Sequence, residues 1–168
     1  MNWHDLFSYD PDSGELRWKI HSNSRAPKGS LAGCLTGTKK NYLAVRYQKV
    51  RYYAHRVIWE MCNGPIPDGM HIDHINHITT DNRISNLRLV TQSENNKNLP
   101  LPCTNSSKVC GVNWHKLRGK WRAYIKVNNK DVHLGTFDSF DEAVAVRKAA
   151  EIKYGFHTNH GLAKELAA

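Results

Sequence analysis

The chain has 168 residues, 40% of them hydrophobic, and a formal net charge of +9. That length suits two small domains or one medium one. No run approaches the ~18 apolar residues of a membrane span, and the opening MNWHDLFSYDPDSGE is polar and acidic, unlike a secretory signal. A cytoplasmic protein without a membrane partner is therefore expected. The basic excess is shared: residues 1–98 hold 13 Lys/Arg against 9 Asp/Glu, and residues 108–161 hold 10 against 5. Such a balance favours a polyanionic partner, nucleic acid first. Cys34, Cys62, Cys103 and Cys110 form no C-x-x-C pair, which argues against a structural zinc site.

In chain order, Leu6–Tyr9 and Glu15–Ile20 flank the turn sequence DPDSG and predict a hairpin. A Gly/Ser/Lys-rich stretch, Ser22–Lys40, follows. Tyr42–Val45 and Lys49–Tyr53 read as strands. Ala54–Cys62 reads as a helix that stops before Gly64 and Pro65.

The most informative segment is residues 71–98, HIDHINHITTDNRISNLRLVTQSENNKN. A short strand, His71–Asp73, delivers Asp73 and His74 side by side, on opposite sides of the backbone. A polar loop leads to a second strand, Asn86–Val90. Thr91-Gln92-Ser93-Glu94 is a capping box that starts a helix, with Asn95 on its first turn. Hydrolysis of a phosphodiester needs a base for water, a cation for the phosphate oxygens and a group that orients the base. His74 can be the base, Asp73 a metal ligand, and Asn86 and Asn95 the supporting amides. His71, His77 and His115 have no partner at motif spacing and read as structural or surface histidines.

Asn98–Ser107, NLPLPCTNSS, breaks the pattern with two prolines and a polar cluster, and 99–107 is expected to be a linker. The remainder reads β-β-β-α: Val109–His115, Lys120–Val127 and Asp131–Thr136, then a helix over Ser139–Tyr154 opened by a capping box. The apolar helix positions are Ala143, Val146, Ala150 and Tyr154. Alternation sends Trp121, Ala123, Ile125 and Val127 to one face of the middle strand and Arg122, Tyr124 and Lys126 to the other. Val112, Trp114, Val132 and Leu134 are expected to turn inward, and Asn113, His115 and His133 outward. The outer face is then a bare sheet of cations, amides and an aromatic, a shape that can enter a DNA groove.

Residues 71–98 resemble the HNH, or ββα-metal, nucleases, and look closest to the phage and intron homing endonucleases with DH…N…N. The matching residues are Asp73-His74, Asn82, Asn86-Leu87-Arg88, Val90-Thr91, Glu94-Asn95 and Asn98. The resemblance implies that His74 is the general base, that Asn86 ties the loop between the strands, and that Asp73 and Asn95 hold one divalent metal. Two oxygen ligands suit Mg²⁺ or Mn²⁺. His55-Arg56 also matches the subgroup, with His55 structural or phosphate-contacting.

Residues 111–155 resemble the Apetala-two, or ethylene-response-factor, DNA-binding domain. Gly111-Val112, Gly119-Lys120-Trp121, Ala123, Ile125, Leu134-Gly135-Thr136-Phe137 and the helix alanines carry that likeness. It implies DNA contact through Asn113, His115, Arg122, Tyr124, Lys126 and His133. Asn113, His115 and Asp131 stand where that family carries arginines, so no target sequence transfers.

The expectation is thus an α+β protein with a nuclease domain over 1–98, a linker, a DNA-binding domain over 108–161 and a tail over 162–168. It would act without an obligatory protein partner, as a monomer, on double-stranded DNA. The rival is a non-cleaving DNA-binding regulator with a degenerate nuclease, against which the retained Asp73, His74, Asn86 and Asn95 speak. An RNA-binding protein is a third reading.

Overall fold

The computed structural model describes residues 2–23, 26–37 and 41–162. They divide into two compact units, one ending at Gln92 and the other beginning at Ser93. The fold is α+β, as expected. Of the tail read over 162–168, residues 163–168 lie outside the described residues.

In the first unit, the short helix α1 (Trp3–Leu6) leads into β1 (Phe7–Tyr9), which pairs antiparallel with β2 (Leu16–Trp18), with Phe7 opposite Trp18 and Tyr9 opposite Leu16. The turn is set by Asp10, whose carboxylate accepts from the Ser13 hydroxyl at 2.7 Å and the Asp12 N–H at 3.1 Å, the Asx-turn chemistry that favours Asp here. Phe7, Leu16 and Trp18 are buried with Val45, Val57, Ile58 and Ile72 in one core. Each such side chain contributes roughly 1.5–3 kcal/mol by leaving water.

A second sheet joins β3 (Cys34–Leu35), β4 (Leu43–Tyr47) and β5 (Val50–Tyr53). The two-residue β4–β5 turn places both Gln48 and Lys49 at positive φ, the hairpin geometry that follows strand twist. The strand β3 falls inside the Gly/Ser/Lys-rich stretch that the sequence leaves without structure. Helix α2 (Ala54–Asn63) buries Ala54, Val57 and Ile58 at helical spacing, and the Gly64 N–H closes its end on Glu60 O. Then β6 (His71–His74) pairs with β7 (Leu87–Val90), His74 opposite Leu87 and Asp73 opposite Arg88. Helix α3 (Gln92–Asn96) straddles the unit boundary.

In the second unit, β8 (Val112–His115), β9 (Lys120–Val127) and β10 (Lys130–Phe137) form an antiparallel sheet in the order β10-β9-β8, packed on α4 (Phe140–Lys153). Ser139 caps α4 by accepting from the Asp141 and Glu142 N–H groups. Val112, Ala123 and Ala143 are the buried centre. One expectation needs correction. Trp114 is 47% exposed: it lies at the sheet edge, with Trp121 against it edge-on at 5.2 Å. The buried side of α4 also contains charge, because Arg147 donates to Cys110 O at 2.9 Å and stands 3.4 Å from Glu151. Within the second unit, Leu101 N–H donates to Leu162 O and Gly161 N–H to Leu99 O, both at 2.9 Å.

Gly14 presses its backbone onto residues 82–83: a Cβ there would lie 2.7 Å from Arg83 N, with φ already at +77°. Gly29 has similar φ but nothing within 4 Å. Gly29→Ala should cost only the left-handed penalty of about 1–2 kcal/mol, whereas Gly14→Ala adds a backbone clash and should melt several degrees lower still. Equal melting temperatures for the two variants would contradict this packing.

Candidate functional site

The strand β6 alternates in burial, and Ile72 and His74 turn inward. Ile72 belongs to the core, which fixes the register that buries His74, 4% exposed, on the same face. The His74 Nε2 is 3.1 Å from Asn82 Oδ1. An amide oxygen only accepts, so Nε2 carries the proton and Nδ1 is the basic nitrogen. Burial pushes the His74 pKa down, against the Asn82 hydrogen bond and the carboxylates of Asp73 and Asp81, which pull it up.

The loop that presents Asn82 is tied at several points. Asn86 Oδ1 accepts from Asn76 N–H at 3.0 Å, and its Nδ2 donates to Asp81 O at 2.8 Å. Asp81 accepts from the Asn76 amide and, bidentately, from Arg83. Arg83 and the Asn76 amide together hold the Asp81 carboxyl below its ordinary range. Both contacts of Asn86 are with the loop, so it shapes the segment that carries Asn82. Asn82 appears in the motif, but its contact with His74 has no signature beyond its place in an Asn-rich loop.

Asp73 faces away from His74 on its strand. Arg88 reaches across from β7 and gives it two bonds, from Nε at 3.0 Å and Nη2 at 2.8 Å, both to Oδ2. Its carboxylate, 11% exposed, is thus already partnered by a cation. Among the described residues no cluster of three or more His, Cys, Asp or Glu could hold a metal. The Asp73 carboxylate offers oxygen donors, the chemistry of a hard cation rather than of zinc. Asn95 is half-buried on α3 and is described with the second unit.

Sequence reasoning placed His55 outside the chemistry and took Tyr42 and Tyr53 as strand residues. The His55 ring lies edge-on to His74 at 5.1 Å, 5.0 Å from Tyr42, and stacks on Tyr53 at 5.6 Å. Tyr42 is 5.9 Å from His74. Together they wall His74 with aromatic rings. His55 Nδ1 is buried without a hydrogen-bond partner. Burial, with His74 and Arg56 adding repulsion, lowers its pKa to about 3.

In the second unit the pairing sets Asn113 opposite Arg122 and Tyr124 opposite His133. Arg122 lies over the Tyr124 ring at 5.5 Å. With His115 and Lys126 at the same alternation, all six residues read as the outer face stand on one side of the sheet. Arg122, Lys126 and His133 are exposed; Asn113, His115 and Tyr124 are half-buried. Asp131, opposite Lys126, adds a carboxylate to that face.

His55 gives stability a pH dependence of definite sign. Its folded pKa, about 3, lies below the ~6.5 of an unfolded histidine, so acid protonates the unfolded chain first. Its contribution is complete above ~6.5 and is lost as the pH falls toward about 3. The melting temperature of His55→Phe should therefore fall less steeply than that of the wild type across this window. Parallel melting curves would show that His55 is not buried neutral.

Comparison with known proteins bears on the same segment of the chain. Residues 52–97 match the family model described as HNH endonuclease. The chain is also 40% identical, over 76 residues, to a protein called "Protein 3.8" of Escherichia phage T7. That alignment spans 45% of this chain and 63% of the phage protein, so the chain spans less than two thirds of this relative. No solved structure matches. His55, Asp73, His74, Asn82, Asn86 and Asn95 all lie within the segment that matches the HNH endonuclease family, which supports a nuclease function.

Proposed function

We propose that the protein is a metal-dependent endonuclease that hydrolyses double-stranded DNA at directed sites, in the manner of a homing-type enzyme. The observation that carries this reading is His74: a buried imidazole whose Nε2–H is committed to Asn82 and whose pKa burial lowers. A neutral ring so held can take a proton from water at Nδ1 while the water oxygen bonds to phosphorus and a P–O ester bond breaks. Asp73 and Asn95 would hold one Mg²⁺ or Mn²⁺, which when bound offsets the charge developing on the phosphate oxygens. The ion would share the Asp73 carboxylate with the Arg88 guanidinium, which bonds its Oδ2. Asn86 acts at one remove, by holding the loop that orients the base.

The outer face of the β8–β9–β10 sheet, with Asn113, His115, Arg122, Tyr124, Lys126 and His133, is the proposed DNA grip. Its three strands and one helix support the Apetala-two resemblance, and exposed Arg122 and Lys126 can meet phosphates. The proposed setting is the cytoplasm of a phage-infected cell, which the phage relative supports. Among the described residues no helix is long and apolar enough to cross a membrane.

The experiment is nicking of supercoiled plasmid with and without Mg²⁺. His74→Ala should lose ~10²–10⁴ in rate while its DNA affinity, measured by gel shift, stays near that of the wild type. Asp73→Ala and Asn95→Ala should lose the metal-dependent rate. Full cleavage by His74→Ala, or wild-type cleavage in excess chelator, would overturn the mechanism.

For the grip, Arg122→Ala and Lys126→Ala should weaken duplex binding. Each phosphate contact removed should flatten the dependence of log affinity on log salt by about one unit. Unchanged affinity in both variants would move the DNA surface elsewhere.

A further inference from the structure

The matched family segment begins at residue 52, yet the loop that orients His74 is gripped from far upstream. Tyr9, on the first hairpin, makes two hydrogen bonds to it. Its hydroxyl donates to Asn82 O at 3.1 Å and accepts from Ile84 N–H at 2.8 Å. The same turn sets Gly14 against the backbone of Asn82 and Arg83, so closely that a Cβ would meet Asn82 C at 2.9 Å. The hairpin therefore holds residues 82–84 by a side chain and by its backbone.

Asn82 lies between this grip and the base. It is 1% exposed, its carbonyl accepts from Tyr9 and its side-chain oxygen accepts from His74. We propose that Tyr9 is a positioning residue for His74, acting through Asn82, so that the N-terminal hairpin completes the catalytic site. This rests on the reading of His74 as the general base.

Two features suit Tyr9 to the role. Its ring is on the same side of β1 as Phe7, which is fully buried and packed 4.6 Å from Trp18, so the strand cannot slide without breaking the core. Burial, with the Ile84 hydrogen bond opposing it, holds the phenol pKa above its ordinary value, and the hydroxyl remains a donor. The other end of the loop is tied by Asn86 to Asp81 and Asn76, upstream of Asn82. Without Tyr9, the backbone after Asp81 would lose its two hydrogen bonds to the hairpin and keep the contact at Gly14, the packing of Ile84 on the core and the local bonds of Arg83 and Asn86.

Tyr9→Phe removes the hydroxyl and leaves the ring. The variant and the wild type are compared by plasmid nicking, by thermal melting and by the ¹⁵N spectrum of the His74 ring, identified by its loss in His74→Ala. Tyr9→Phe should lower kcat roughly 10- to 100-fold, the scale of a misplaced catalytic group, with KM for plasmid unchanged. The His74 signal should change from the Nε2–H form to a mixture of tautomers. Both readings are taken well below the melting temperature of the variant, so partial unfolding does not mimic them. Wild-type kcat together with a wild-type His74 tautomer in Tyr9→Phe would overturn the proposal, as would a rise in KM alone. The two readings separate cleanly. Full cleavage by His74→Ala removes the base assignment, whereas an inactive His74→Ala beside a normal Tyr9→Phe removes only the role of the hairpin.

Discussion

The hydrogen bond between His74 Nε2 and Asn82 Oδ1 is the constraint on which the proposed chemistry depends. It sets the tautomer, the plane of the ring and the nitrogen that can accept a proton. Neither partner can be moved freely. His74 is held by the register of β6 on β7, in which Ile72 fills the core. Asn82 is held by a loop with its own network of amides and by the upstream hairpin. The aromatic wall of Tyr42, Tyr53 and His55 lowers the local dielectric, so this one bond is both stronger and more costly to misplace than in water.

The electrostatics of β6 separate its two neighbouring titratable groups. His74 faces inward and is held toward neutrality by burial, while Asp73 faces Arg88 and is matched by a charge. Alternation along an extended strand produces this division without any added element. The second unit shows a different solution on α4, where Arg147 and Glu151 are buried four residues apart and the guanidinium also meets a carbonyl and the Phe156 ring at 5.3 Å. Burial of such a pair is tolerated because these contacts replace part of the lost water.

Features determined by neighbouring residues were legible in the sequence. The Asp10–Ser13 turn, the Ser139 cap and the end of α2 at Gly64 follow from local hydrogen bonds, and each lies where the sequence predicts it. Asp73 and His74 stand adjacent on a short strand for the same reason. What escaped was set at long range or ran against hydropathy. Tyr9 and Ile84 are 75 positions apart, and nothing near either marks the bond. The strand β3 has two exposed residues and exists only through its pairing with β4. Arg147 and Glu151 were missed because apolar periodicity counts charged residues as outward-facing, and Trp114 because alternation takes no account of the sheet edge. The role of Asn86 as a loop tie came from family resemblance; its partners came from the structure.

Within the second unit, the bonds that join Leu99 and Leu101 to Gly161 and Leu162 bring its entry and its exit side by side. A domain closed in this way can be spliced into a surface loop of another protein without stretching its ends apart. Its sheet and helix would then travel together as one cassette.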